Sequence, residues 1–202
     1  MLNTSNARIR LGLSLVCLAF IFILSLVIMG TVGVNGHITF ENLNDGCLLY
    51  MSIDDNKVAS YNNGYCLFPI IGGAITCVTS LLFMAYWVMI LRRRDDFAPR
   101  IVSMALLATS VVMALFSFAI CGEIGIGLNK ACGALVPGQK LAECRSIKNF
   151  AALYAAQVCA GLMGGFWLAA LVVEWIQYKK QPSVLSTSSD PISQTTVLPH
   201  HR

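Results

Sequence analysis

The stretch LGLSLVCLAFIFILSLVIMGTVGVNG, Leu11 to Gly36, runs for 26 residues without a charged side chain. Three more runs share that property: Leu67–Leu91 (25 residues), Ile101–Gly122 (22) and Asn149–Val173 (25). An α-helix rises about 1.5 Å per residue, so each run reaches about 33–39 Å, enough to cross a hydrocarbon core of about 30 Å. Helices of soluble cores rarely continue so far without a charge. The chain has 202 residues, 56% hydrophobic and 12% charged. The runs predict an all-α membrane protein, an up-down bundle of four transmembrane helices over about 11–34, 67–91, 101–124 and 149–175.

The first run follows Arg8 and Arg10, which could serve as the basic region of a signal peptide. A cleaved apolar region is about 7–15 residues long. This one is much longer and has no small-x-small exit, so it reads as a retained span. Basic residues near helix ends then set the orientation. Arg8, Arg10, Arg92, Arg93, Arg94, Arg100, Lys179 and Lys180 fall on one side. On the other, Lys57, Lys130, Lys140, Arg145 and Lys148 are diluted by Glu41, Asp45, Asp54, Asp55 and Glu143. The bias places both termini in the cytosol, with external loops at 35–66 and 129–147, in a plasma or secretory-pathway membrane. Arg92, Arg93, Arg94, Arg100, Lys179 and Lys180 are the residues expected to set topology and meet lipid headgroups. The net charge of +4 is thus explained by topology, and no nucleic-acid surface is indicated. Residues 1–180 form the membrane domain. The tail 181–202, rich in Ser, Thr and Pro, reads as disordered.

Each external loop holds two cysteines: Cys47 and Cys66, then Cys132 and Cys144. Thiols are oxidised on that side of the membrane, and four cysteines allow three pairings. Pairing within each loop needs the least rearrangement of the chain; bridges between the loops are the rival. A bridge of this span is worth about 3 kcal/mol on the chain-entropy estimate. The first loop also has strand-like pieces at Ile38–Phe40, Cys47–Met51 and Val58–Tyr61, separated by Asn44-Asp45-Gly46 and Asp54-Asp55-Asn56. These suggest a small stapled β-meander, or else an irregular closed loop. Cys17, Cys77, Cys121 and Cys159 lie within the spans and read as small hydrophobes. No Cys/His spacing suggests a metal, and no cofactor is expected.

The four uncharged runs offer nothing for acid–base, nucleophilic or ion-coupled chemistry, since an intramembrane charge is normally retained for function. Glu123 and Glu174 fall only at helix ends, and Glu174 reads as a solvated interfacial carboxylate beside Trp175, Tyr178, Lys179 and Lys180. An enzyme is therefore not expected. Helix packing is more legible. Ala160/Gly164 and Gly161/Gly165 lie four apart in the fourth helix, and Gly72-Gly73 marks the second. Small residues at such spacing let backbones approach in lipid, either within the bundle or against a partner, and Gln157 could bond across helices.

Asn35-Gly36-His37-x-x-Phe40, followed by Gly46-Cys47-Leu48-Leu49-Tyr50, resembles the opening of the first external loop in the transmembrane protein 179 family. The order of features agrees over about residues 11–180: Tyr65-Cys66 opening the second helix, a short basic loop, Cys132 and Cys144 after the third helix, and a fourth helix ending near Glu174-Trp175. The resemblance implies a multi-pass membrane protein without a defined reaction. Other four-span patterns fit less well. Residues 34–66 lack the Trp of the claudin loop signature, the second loop is too short for a tetraspanin, and connexins carry three cysteines per loop. Two functional classes follow. The chain is either a non-enzymatic scaffold or accessory subunit, whose partners are the lipid bilayer and another membrane protein or itself, or a small oligomeric channel or transporter.

Overall fold

The computed structural model describes residues 4–40, 43–54, 57–61, 64–93, 100–135, 144 and 148–180. The tail expected to be disordered lies outside them. Four helices carry the fold: α1 Thr4–Asn35, α2 Gly64–Arg93, α3 Arg100–Leu135 and α4 Lys148–Lys180. Each contains a stretch long and apolar enough to cross a membrane: Leu11–Asn35, Gly64–Arg92, Ile101–Ala134 and Asn149–Lys179. They pack as a ring in chain order. The α1–α2, α3–α4 and α1–α4 seams are extensive, whereas α2–α3 is sparse. An even number of antiparallel spans puts both ends of the helical domain at one end of the bundle.

The core runs along the inner faces at helical spacing. On α4 it comprises Leu153, Ala156, Ala160, Met163, Trp167 and Ala170, advancing three or four residues at a time. Leu18, Ile21, Ile28 and Val32 on α1 and Ile120, Ile124 and Leu128 on α3 face it. Outward positions such as Leu82, Val112, Leu115 and Leu162 are equally apolar, as a lipid solvent requires. Pro69 is buried near the start of α2 without ending the helix.

The third helix is longer than its sequence suggested. The sequence predicts its end near residue 124 and an external loop from 129, yet the helix continues to Leu135 and includes Cys132. Neither Glu123 nor Lys130 stops it, because Ile124, Leu128, Ala131 and Cys132 continue the inward stripe and stay buried. A helix of 36 residues spans about 54 Å, so its last turns rise beyond the hydrocarbon. There they support a three-stranded antiparallel sheet of order β1-β2-β3: β1 His37–Phe40, β2 Leu43–Asp54 and β3 Lys57–Tyr61. The β-meander is therefore real, with one correction. Asn44-Asp45-Gly46, expected to be a turn, belongs to β2, and Phe40 pairs directly with Leu43. The register slips between Ile38 and Phe40, where Asn44 and Asp45 face the single residue Thr39, so turn-favouring residues form a bulge in β2 that accommodates one extra residue. Asp54 pairs with Lys57, so the second connection falls where the sequence placed it.

Candidate functional site

Two places concentrate unusual chemistry: the stapled cap, and a polar cluster inside the opposite end of the bundle. The cap begins at Gly36. Its N–H donates to the Val32 carbonyl at 2.8 Å, completing α1, and its own carbonyl accepts from the Leu48 N–H at 2.8 Å, starting the sheet. A side chain at Gly36 would collide with the Val32 carbonyl oxygen and crowd the Cys66 Sγ, so only glycine fits this junction.

Cys47 on β2 bonds to Cys66 in the first turn of α2, with Cα atoms 5.8 Å apart. Cys132 on α3 bonds to Cys144, with Cα atoms 5.9 Å apart. All four are buried, as are Leu48 and Leu49, which carry the apolar core up from the bundle into the sheet. The staple thus joins the sheet to α2 while β2 rests on the extended end of α3. Cys17, Cys77, Cys121 and Cys159 remain free thiols within the helices.

The small residues divide by which way they face. Gly72 lies under Ile120 and Phe116 of α3, where a Cβ would sit 2.6 Å from the Ile120 Cδ1. Gly73 faces α1, and a Cβ there would sit 2.7 Å from the Met29 Cγ and 3.3 Å from the Ser25 carbonyl oxygen. At Gly164 a Cβ would sit 2.9 Å from the Phe118 ring, and Ala160 is fully buried. At Gly161 a Cβ would make only ordinary contact with the Cys121 Sγ, at 3.5 Å. Gly165 differs from expectation: nothing lies within 4 Å of a Cβ there. The inner stripe passes through 160, 163, 164 and 167, and one more residue turns the helix outward. Sequence reading missed Gly125, which lies against the Gln157 side chain. The Gln157 Oε1 finds no hydrogen-bond partner, so the expected bond across helices is not formed by that atom.

Most buried hydroxyls are satisfied by their own helix. Ser25, Thr76, Ser80 and Ser117 donate to the carbonyls of Phe22, Gly72, Cys77 and Met113, three or four residues earlier. Ser110 is different. Its hydroxyl donates across helices to the Glu174 Oε2 at 3.4 Å. Glu174 is only 3% exposed, which corrects its reading as a solvated interfacial carboxylate. The residue continues the inward stripe of α4 seven positions after Trp167, so it enters the core. Trp175, one position on, faces outward with the Lys179 ammonium 5.3 Å from its ring and Tyr178 stacked beside it. The interfacial belt belongs to those residues.

Among the expected headgroup residues, Arg92 is exposed at the end of α2 and Lys179 at the end of α4. Arg93, Arg100 and Lys180 occupy helix termini, with side chains outside the described set; Arg94 lies outside it entirely. Among the described residues, no group of three or more His, Cys, Asp or Glu could hold a metal ion.

A family model described as the transmembrane protein 179/179B claudin domain matches residues 11–196. No curated protein and no solved structure shows significant similarity to the chain. The match covers all four membrane-spanning stretches and both stapled regions. It carries the claudin name although residues 34–66 contain no Trp, so that residue is not required for membership.

Proposed function

The chain belongs to the transmembrane protein 179/179B claudin-domain family, and on that footing we propose that it acts as a non-enzymatic scaffold or accessory subunit for another membrane protein. The observation that carries this reading is the asymmetry of α2. Only 17% of its most apolar stretch is buried, against 39, 33 and 39% in the other three helices. Its outward face presents Leu67, Phe68, Ile71, Ile75, Val78 and Leu82. The same helix is clamped by the Cys47–Cys66 bridge to the sheet above it. A partner helix lying along α2 would therefore meet a broad apolar surface and a covalently fixed cap together. Close packing, rather than hydrophobicity, drives such association in lipid.

In the proposed orientation both termini and the 92–100 connection face the cytosol, where arginines meet anionic lipid. Both disulfides then lie in the compartment that preserves them. Photo-crosslinkers at Ile71, Val78 and Leu82 in native membranes test the reading. A discrete protein adduct from α2, absent from matched positions Leu162 and Val172 on α4, is the expected result. Adducts with lipid alone would refute it. The alternative, a channel or transporter formed by several copies, predicts that the purified chain alone moves ions or a solute across liposomes.

A further inference from the structure

Trp87 of α2, Ser110 of α3 and Glu174 of α4 converge near the end of the bundle that carries the helical termini. All three are buried, at 3, 0 and 3% exposure. The carboxyl group accepts one long hydrogen bond, 3.4 Å from Ser110, and its Oε1 has no partner. The Trp87 indole N–H lies within electrostatic reach of the carboxyl but does not close a hydrogen bond, and it too has no partner. No described basic side chain pairs with Glu174.

A carboxylate enclosed this way, as an anion, is a buried unpaired charge, which folded proteins avoid by pairing or neutralising it. A metal ion is a poor answer: the cluster supplies two carboxylate oxygens and one hydroxyl, whereas hard cations take about six oxygens. A proton needs no further ligand. It adds to one carboxyl oxygen, drawn from water, and leaves the other to accept from Ser110.

We propose that Glu174 is a proton-binding site within the bundle, in exchange with the water at the terminus-bearing end, and that its occupancy sets how closely α2 and α3 close over it. The sparse α2–α3 seam is the element free to respond. With the proton bound, the cluster is neutral and stays dry. When the proton leaves for water, the anion needs donors, and the Trp87 N–H and entering water supply them, which loosens the seam. Among the described residues, the titratable side chains toward this end of the bundle include Tyr86 on α2 and Cys17 on α1, which carry no charge unless they lose a proton. Arg92, Tyr178 and Lys179 stand a turn or more nearer the water. The site is independent of the scaffold reading.

The test uses the full chain in lipid nanodiscs, titrated with pH and followed by infrared absorption and tryptophan emission. A protonated-carboxyl carbonyl band should appear and vanish with pH and be lost in Glu174→Gln. The emission should shift over the same range, and Trp87→Phe should lose that shift while keeping the band. Ser110→Ala, which retains the carboxyl, should move the midpoint, so the test survives if the Gln variant fails to fold. A band that persists in Glu174→Gln would overturn the proposal. So would a band absent at every pH in the native chain; its appearance once Arg93, Arg94 and Arg100 are changed to Gln would then identify an arginine counterion.

Discussion

Adjacent glycines on α4 offer a controlled measurement of helix packing. In Gly164→Ala, the new Cβ would sit 2.9 Å from the Cε1 and Cζ of Phe118 and 3.1 Å from its Cδ1. Ordinary contact begins near 3.4 Å, so the ring must retreat by about half an ångström. Forcing an extra methyl into a packed site costs about 1–3 kcal/mol. Phe118 is 42% exposed, so it has room toward lipid and the lower part of that range, about 1–2 kcal/mol, applies. In Gly165→Ala the methyl meets nothing within 4 Å.

Both substitutions gain the same helix-propensity advantage of alanine, up to about 1 kcal/mol, so the difference between them isolates the contact with Phe118. Gly165→Ala should therefore be the more stable by about 1–2 kcal/mol, a factor of about 5–30 in the unfolding equilibrium. Reversible denaturation in mixed micelles, scored by the near-ultraviolet signal of the tryptophans, measures it. Equal stabilities, or a larger loss at Gly165, would show that the helix is rotated away from a packing in which Gly164 faces Phe118. Gly165→Leu likewise should leave the bundle intact, since its side chain would enter lipid.

Cys47→Ser should lower the stability of the cap by about 3 kcal/mol, read as earlier proteolysis of residues 37–61 that serine substitution of the free cysteines does not reproduce. Intact resistance to protease would refute the staple's role. Gly36→Ala should disrupt the same junction and reduce oxidised Cys47–Cys66 in freshly isolated membranes; full oxidation would show that the turn can shift at little cost. An Asn-x-Thr acceptor engineered near Asn56 should be glycosylated and one near Asp95 should not, and the opposite result would invert the topology. Changing Arg92, Arg93, Arg94 and Arg100 together to Gln should reduce bound anionic lipid, each charge contributing about 1 kcal/mol near such a surface. Unchanged lipid with intact topology would leave them only a role in insertion.

The architecture was readable because lipid imposes a one-dimensional rule: backbone groups must be satisfied within each segment, so length and absence of charge are enough to locate the helices. Strand-like pieces and cysteines marked the cap for a related reason, since a short external loop without its own core needs a staple. What the sequence concealed depended on rotation and support from neighbours. The extension of α3 beyond residue 124 is held by β2, a contact between segments far apart in sequence. Gly164 and Gly165 look equivalent in a small-xxx-small pattern, yet one faces a ring and the other open space.

Glu174 shows why this gap falls on the residues of greatest chemical interest. In sequence it belongs to an aromatic and basic border, and its neighbours Trp175, Tyr178 and Lys179 do form one. A helix turns about 100° per residue, so adjoining positions can face lipid headgroup and core at the same depth. In a soluble protein, apolar periodicity would reveal which is which. Here the outward face is as apolar as the inward one, and the period that marks the core disappears from composition. Charged residues near a span's end are then ambiguous until the helix phase is known. For α4 the phase is visible only in retrospect, from the glycine and alanine contacts at 160 and 164 and the buried Trp167, which together direct position 174 inward. Small residues fix the rotation of the helix, and the rotation decides that a carboxyl group enters the core.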